Sequence, residues 1–400
     1  MTAHQPRRIT ESGPVHDHRE IEAVVEVLED GTLDLGPRVA EFERRGAELL
    51  AKRHGVMVNA GTSALWLAVD LLECERGDEV ITSPLTFSSD IAPLVRSGIV
   101  PVFVDVDVRT YQVDPDGIEE MIGPRTRAIL VPNLVGNCPD WDRLREIADK
   151  HGLRLVEDSC DVLGSRLRGT PTGQRSDISV TSFARSHAIT AAGNGGLIGL
   201  DDERSLDLTL MRRRWGRRSE TYLFGSRSGE SERFGPLADG TPYDLIFVFD
   251  EMGYNFEPSE IMAAYGLVQL DKLEEFNGRR QAAFEAIDHA LVKHDGAVVR
   301  PETTAGVETT WMRYPFVLDE GVDRVGVQEY FEGQGISTRM VWTGNILRQP
   351  GFAGIEHRQP DGGLPNCDRV MDRALSLPTH HALTSDDVGR LVQAITDWRP

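Results

Sequence analysis

Val56-Met-Val-Asn-Ala-Gly-Thr-Ser-Ala-Leu65 is the stretch on which the fold turns. Val56 to Asn59 forms a short apolar run closed by a turn former, and from Ser63 to Leu72 apolar residues recur at helical spacing. A strand therefore passes through Asn-Ala-Gly-Thr-Ser directly into a helix. The backbone N–H groups of Gly61, Thr62 and Ser63 fall in the first turn, where intrahelical acceptors are missing, so they point toward an anion placed there. A plain helix cap uses the same residues, and the stretch alone leaves both readings open.

The same alternation continues on either side. Strands are predicted at Glu79–Thr82, Val100–Val104, Ala128–Pro132, Arg154–Glu157, Ser179–Phe183 and Gly195–Gly199. Helical patterns at Ser89–Ser97 and Trp141–His151 separate several of them, and two more occupy Glu20–Leu50 around a Gly31–Gly36 break. This is the signature of an α/β fold with a large, mostly parallel sheet covered on both faces, the last strands added as a hairpin. Ligands then sit at the carboxyl ends of the strands. A Gly, Ser and Arg-rich interruption at 216–241 is too long for an ordinary connector. From Pro258 one long helical pattern runs to Leu291, followed by an α+β unit. The expected division is 1–270 for the large domain, with 216–241 as a loop or arm, and 271–400 for a smaller C-terminal domain.

Composition narrows the function. The 400 residues carry a net charge of −21, which repels nucleic acid and anionic membrane surfaces and favours small-molecule chemistry. No apolar run approaches the ~20 residues that span a bilayer, and the first residues lack a secretory apolar core, so a cytoplasmic location is expected. Cys74, Cys138, Cys160 and Cys367 are too scattered for a disulfide framework or a CxxC metal site. The basic residues are nearly all arginine; lysine occurs only at Lys52, Lys150, Lys272 and Lys293.

Two further stretches carry chemistry. The strand Arg154–Glu157 ends in Glu157, Asp158 and Asp161, which places carboxylates at the ligand end of the sheet, although acids there are also common as solvated loop residues. Gly193–Gly199 suggests a nucleotide loop, but its glycines lead into a strand, not a helix, and a dinucleotide fingerprint is rejected.

Taken in order, these stretches resemble the DegT/DnrJ/StrS-type sugar aminotransferases, which are fold type I pyridoxal phosphate enzymes. Gly31-Thr-Leu-Asp-Leu-Gly, Asn59-Ala-Gly-Thr-Ser-Ala-Leu, Gly77-Asp-Glu-Val-Ile-Thr, Pro101-Val-Phe-Val-Asp-Val-Asp, Glu157-Asp-Ser-Cys-Asp, Gly253-Tyr-Asn and Leu377-Pro-Thr-His carry the resemblance along nearly the whole chain. It implies an aspartate aminotransferase-like fold. It further implies that Gly61, Thr62, Ser63 and Ser182 hold the cofactor phosphate, that Phe87 stacks on the pyridine ring, and that Asp158 pairs with the ring nitrogen. Asp161 stands where many relatives have a Gln near the ring hydroxyl, and Asn255 reaches the phosphate of a second copy, implying a homodimer with shared sites.

The resemblance also implies a lysine between Ser182 and Thr190, five residues after the serine. Here that position is His187, and no internal Schiff base can form. A His at this point is similar to the pyridoxamine phosphate-dependent sugar 3-dehydratases of the colitose and ascarylose pathways, as is Thr338-Arg-Met-Val-Trp-Thr-Gly-Asn-Ile-Leu-Arg-Gln-Pro. An imidazole, with a solution pKa of ~6.5, is a suitable base at neutral pH. The expected activity is removal of the C3 hydroxyl of a 4-keto, nucleotide-linked 6-deoxy sugar. His187 acts as base and then acid, and glutamate is the amino donor. An aminotransferase or isomerase with an unusual His, and a catalytically silent partner subunit, are the alternatives. The ascarylose branch carries an iron–sulfur cluster just after a Trp-Gly-Arg segment. The corresponding Arg214-Trp-Gly-Arg-Arg-Ser is followed by no cysteine up to Tyr254, so no cluster is expected. Arg217, Arg218 and Arg348 are candidate substrate contacts.

Overall fold

The computed structural model describes residues 7–230 and 233–400. Helix α1 (His18–Asp30) begins in a capping box between Asp17 and Glu20 and stops at Gly31, whose φ of 74° suits a residue without Cβ. After α2 (Pro37–Leu49) the chain enters the alternating part. It runs through β1 (His54–Val58), α3 (Gly61–Asp70), β2 (Glu79–Thr82), α4 (Ser88–Arg96), β3 (Val100–Phe103), α5 (Pro115–Met121) and β4 (Thr126–Pro132). There follow α6 (Trp141–His151), β5 (Arg154–Asp158), β6 (Ile178–Ser182), β7 (Gly196–Leu200) and α7 (Glu203–Arg213).

The seven strands lie in the order β1-β7-β6-β5-β4-β2-β3. β7 pairs antiparallel with both β6 and β1, and the other pairings are parallel. The hairpin expected at the end of the sheet is thus β6–β7. Alternate residues feed opposite faces, as a two-residue period requires: Ile129, Val131 and Leu155 join one apolar core, whereas Ala128, Leu130 and Val156 join the other. Glycines at the start of β7 and of α3 serve close packing. A Cβ on Gly196 would lie 2.4 Å from the Ala60 carbonyl oxygen, and one on Gly61 would lie 2.6 Å from Ser182 Cβ. These contacts press the first turn of α3 against the end of β6.

The helical pattern from Pro258 is broken. It forms α8 (Glu260–Asp271) and α9 (Leu273–Leu291), because at Lys272 the backbone turns out of register while its ammonium reaches into the protein to Glu20 and to Asp17, 3.1 Å away. Beyond it, β8 (Val298–Val299), β9 (Arg313–Leu318), α10 (Arg324–Gly333), α11 (Pro365–Arg373), β10 (Ala374–Pro378) and α12 (Ser385–Asp397) complete the chain, with an antiparallel sheet ordered β8-β9-β10. Tyr314, Phe316, Phe331, Leu375, Leu391 and Ile395 form a separate core there. Ile9 belongs to this core and bridges to Ile336, so the first described residues pack on the C-terminal unit. We propose 270/271 as the division on the strength of the joint at Lys272 and this core. The segment 216–241 holds a helical turn at Ser219–Leu223 and one strand of a small hairpin, Phe234–Pro236 with Pro242–Asp244.

Candidate active site

At the carboxyl ends of β4, β5 and β6, and at the start of α3 and α4, lies a cavity of about 300 Å³. Gly61, Thr62, Phe87, Asp158, Asp161, Ser182 and His187 all line it. Seven residues chosen from four separate stretches of sequence therefore converge. The start of α3 has no side-chain cap, and the N–H groups of Gly61 and Thr62 have no acceptor among the described residues. Ser63 departs from the expectation: its N–H donates to the Ala60 carbonyl at 3.0 Å and its hydroxyl to Asn59 Oδ1 at 2.6 Å, so it builds the turn and does not line the cavity.

Phe87, at the mouth of α4, is 53% exposed and meets Trp342 edge-on at 5.9 Å between ring centroids. Asp158 ends β5 with Oδ1 accepting from the Cys160 N–H at 2.8 Å. Beside it lies Asp90, one turn into α4 and only 1% exposed, which no sequence pattern singled out. Burial first, and the facing Asp158 second, hold the Asp90 carboxyl well above the usual carboxylate range, while its Oδ2 accepts from Thr86.

Asp161 is held by two donors on one oxygen: Val135 N–H at 2.8 Å and Trp342 Nε1–H at 2.7 Å. Both donor residues have left-handed backbones, with φ of 57° and 45°. For a β-branched valine this is strained, and the strain is stored where the chain must aim two donors at one carboxylate. Burial pushes the Asp161 carboxyl up to about 7, with the charge of Asp158 adding to the effect and the two donors opposing it. The folded pKa is above the ordinary 3.8, so wild-type protein loses stability as pH rises from about 4 through about 7. Asn at this position keeps an oxygen for both donors and never ionises. Asp161→Asn is accordingly expected to melt higher than wild type at pH 8, by a margin worth on the order of 2 kcal/mol that shrinks toward pH 5. Parallel melting curves at the two pH values check it, and a pH-independent margin contradicts it.

His187 sits in the turn between β6 and β7. Its Nδ1 contacts the Cys160 carbonyl oxygen, which can only accept, so Nδ1 carries the proton and Nε2 is left with its lone pair. Burial lowers the imidazole pKa and favours this neutral form, the Cys160 bond opposing it. His187 is half-buried and lines the cavity. Arg280 from α9 donates to the His187 carbonyl at 2.9 Å and fixes the turn.

None of the four lysines lines the cavity. Lys52 pairs with Asp201 at 3.0 Å, Lys150 with Glu119 at 2.6 Å and Lys272 with Asp17 and Glu20, while Lys293 donates to the Thr396 carbonyl. Each amine is engaged elsewhere.

The remaining candidates lie outside the cavity. Asn255 is exposed and bridges to Arg214. Arg217 stacks its guanidinium 4.3 Å over the Trp215 ring. Arg218 makes two 2.6 Å bonds to Asp250, and Arg348 pairs with Asp372 at 3.0 Å and Asp368 at 3.3 Å. Besides Asp90, sequence reasoning missed Thr86, Ser186, Asn194 and Trp342 in the cavity lining. Thr86 adjoins Phe87, and Trp342 lies inside the quoted Thr338–Pro350 stretch, so a signal for these two was present. All four cysteines are free, and among the described residues no group of three or more His, Cys, Asp or Glu side chains is arranged to hold a metal ion.

The sequence model of the DegT/DnrJ/EryC1/StrS aminotransferase family matches residues 14–396. The chain belongs to that family. It is 32% identical to the lipopolysaccharide biosynthesis protein RfbH of Salmonella typhimurium, over 97% of this chain and 91% of that one. It is also 32% identical to the dTDP-4-dehydro-2,6-dideoxy-D-glucose 3-dehydratase of Saccharopolyspora spinosa, over 98% and 86%. Among solved structures it superimposes on the E. coli GDP-4-keto-6-deoxy-D-mannose-3-dehydratase with bound hydrated PLP, with a TM-score of 0.86 and 25% identity, covering 98% of this chain and 100% of that one. The fold is therefore that of the pyridoxal phosphate-dependent sugar-modifying enzymes, as the resemblance implied.

Proposed function

We propose that this protein is a pyridoxamine phosphate-dependent dehydratase that removes the C3 hydroxyl of a 4-keto sugar, carried on a nucleotide and deoxygenated at C6. The observation that carries the reading is the pairing of a neutral, Nδ1-tethered His187 in the cavity with four lysines engaged elsewhere. Pyridoxal and pyridoxamine phosphate are the cofactor pair, and the cavity fits them: free N–H groups of Gly61 and Thr62 beside Ser182 for a phosphate, the exposed face of Phe87 for a ring, and Asp158 for a ring nitrogen.

When bound, pyridoxamine phosphate supplies the amine that condenses with a ketone and a ring that takes up an electron pair. Around it the side chains divide the labour. Asp158, backed by Asp90, holds the proton of the pyridine nitrogen. With that group bound, His187 Nε2 would be the base for the proton on the carbon that bears the amine, and the protonated imidazole would be the acid for the C3 hydroxyl, which would leave as water. The protein thus needs one mobile base, and a histidine serves where a lysine would capture the cofactor covalently.

A homodimer is supported by exposed apolar side chains on α1 (Ile21, Val25 and Leu28) and on the segment after α7 (Phe234, Phe247 and Phe249). In such a dimer Asn255, Arg217 and Arg218 would serve the cavity of a second copy; Arg348, tied to two carboxylates, is the weaker candidate. Glutamate is the proposed donor, no iron–sulfur cluster is required, and four free cysteines accord with the cytoplasm. No helix among the described residues is long and apolar enough to cross a membrane.

Electron balance supplies the test. Removing a hydroxyl and restoring C–H at C3 is a two-electron reduction. Glutamate then leaves as 2-oxoglutarate and its nitrogen as ammonium. Purified protein with pyridoxal phosphate, glutamate and a 4-keto-6-deoxy nucleotide sugar should release one ammonium per 2-oxoglutarate. Release of 2-oxoglutarate without ammonium identifies an aminotransferase, and tight cofactor uptake without turnover of any sugar offered identifies a silent subunit.

A further inference from the structure

The chamber that contains His187 is lined by three carboxyl groups, Asp90, Asp158 and Asp161, and neither lysine nor arginine is among its lining residues. Three negative charges around a space of about 300 Å³ repel one another, and no cation of the protein stands in the lining to offset them. A bound ring nitrogen answers one of the three. At least one of the other two is then favoured in its neutral form.

Asp161 has two N–H donors on one oxygen, which support its charged form. Asp90 has no such support. It stands in the first turn of α4, 1% exposed; its Oδ2 accepts from the Thr86 hydroxyl, and its buried Oδ1 meets no donor among the described residues. A buried carboxylate oxygen without a donor is costly, whereas the same oxygen carrying a proton becomes a donor. The acceptor it faces is Asp158, which closes β5, is 6% exposed and takes the Cys160 N–H on Oδ1 at 2.8 Å. The other titratable groups around the pair bring no positive charge. Burial, then Asp158, pushes the Cys160 thiol well up, and burial favours neutral His187.

We propose that Asp90 is a positioning residue that keeps a proton on Oδ1 and donates it to Asp158, so that the Asp158 carboxylate is fixed between this donor and the Cys160 N–H and turns one negative charge toward the ring nitrogen. This deepens the proposed function and rests on the cofactor ring lying against Asp158.

Two readouts test it. The first uses unloaded protein at pH 8, where Asp161, at about 7, is largely ionised. Infrared spectra should show an un-ionised carboxyl band in wild type that Asp90→Asn removes. The second uses protein loaded with pyridoxamine phosphate isotopically labelled at the ring nitrogen, whose NMR shift follows ring protonation as pH rises. Asp90→Asn keeps a neutral donor for Asp158 and an acceptor for Thr86, and should hold the ring proton to the same pH as wild type. Asp90→Leu has no donor and leaves the Asp158 charge undivided, so it should hold the ring proton to a pH about one unit higher, a tenfold tighter grip. Asp90→Ala replaces it if the leucine variant does not fold. An ionised Asp90 gives the reverse, no such band and a ring proton lost at lower pH in every variant. Either of those results, or a ring titration unchanged when a folded variant lacks the donor, overturns the proposal. The infrared measurement needs no cofactor, so a failure of the shared proton is read separately from a failure of the cofactor assignment.

Discussion

Replacing His187 with lysine is expected to convert a protein that holds pyridoxal phosphate without a covalent bond into one that borohydride locks onto the chain, and to abolish dehydration. In wild type no lysine reaches the cavity, so the aldehyde has no amine to capture it and reduction should leave cofactor dialysable. His187→Lys places the only amine in the chamber, at the turn whose backbone Arg280 fixes through the His187 carbonyl. It also removes the one mobile base, a contribution of about a hundredfold to ten-thousandfold in such reactions. Intact-protein mass after borohydride should rise by one reduced cofactor in the variant alone. Labelling of wild type to the same extent sinks the assignment of His187.

The second large effect is expected at Asp158. Asp158→Asn keeps an oxygen for the Cys160 N–H and nearly the same volume, so folding should be unaffected. It removes the charge that would hold the ring nitrogen protonated, and activity should fall about a hundredfold or more, in the range seen when a preorganised electrostatic partner is removed. Turnover near that of wild type, with cofactor bound and the fold intact, contradicts the role given to this acid.

The sheet was legible because its strands are buried on both faces and read as short apolar runs. β2 was read without error and β5 to within one residue, although β4 begins two residues early, at Thr126, where an exposed Arg127 interrupts the run. The joint at Lys272 was hidden, because α8 and α9 continue one helical pattern and the break is tied to Asp17 and Glu20, some 250 residues away in sequence. Within the site, groups anchored by local motifs were found from sequence, as with Gly61, Ser182 and His187. Asp90 was not, since its meaning lies in facing Asp158 across two elements. Nor was the clamp on Asp161, whose donors are 26 and 181 residues away and take left-handed backbones that no residue type announces.

The most direct measurement is a single turnover in deuterated water. Protein loaded with pyridoxamine phosphate is mixed with a 4-keto-6-deoxy nucleotide sugar, and the product is read by NMR and mass. Loss of the C3 hydroxyl, solvent deuterium at C3 and no nitrogen in the sugar are the result predicted for His187 acting as base and acid. A product that bears nitrogen at C4 and retains its C3 hydroxyl contradicts the account and makes the protein an aminotransferase.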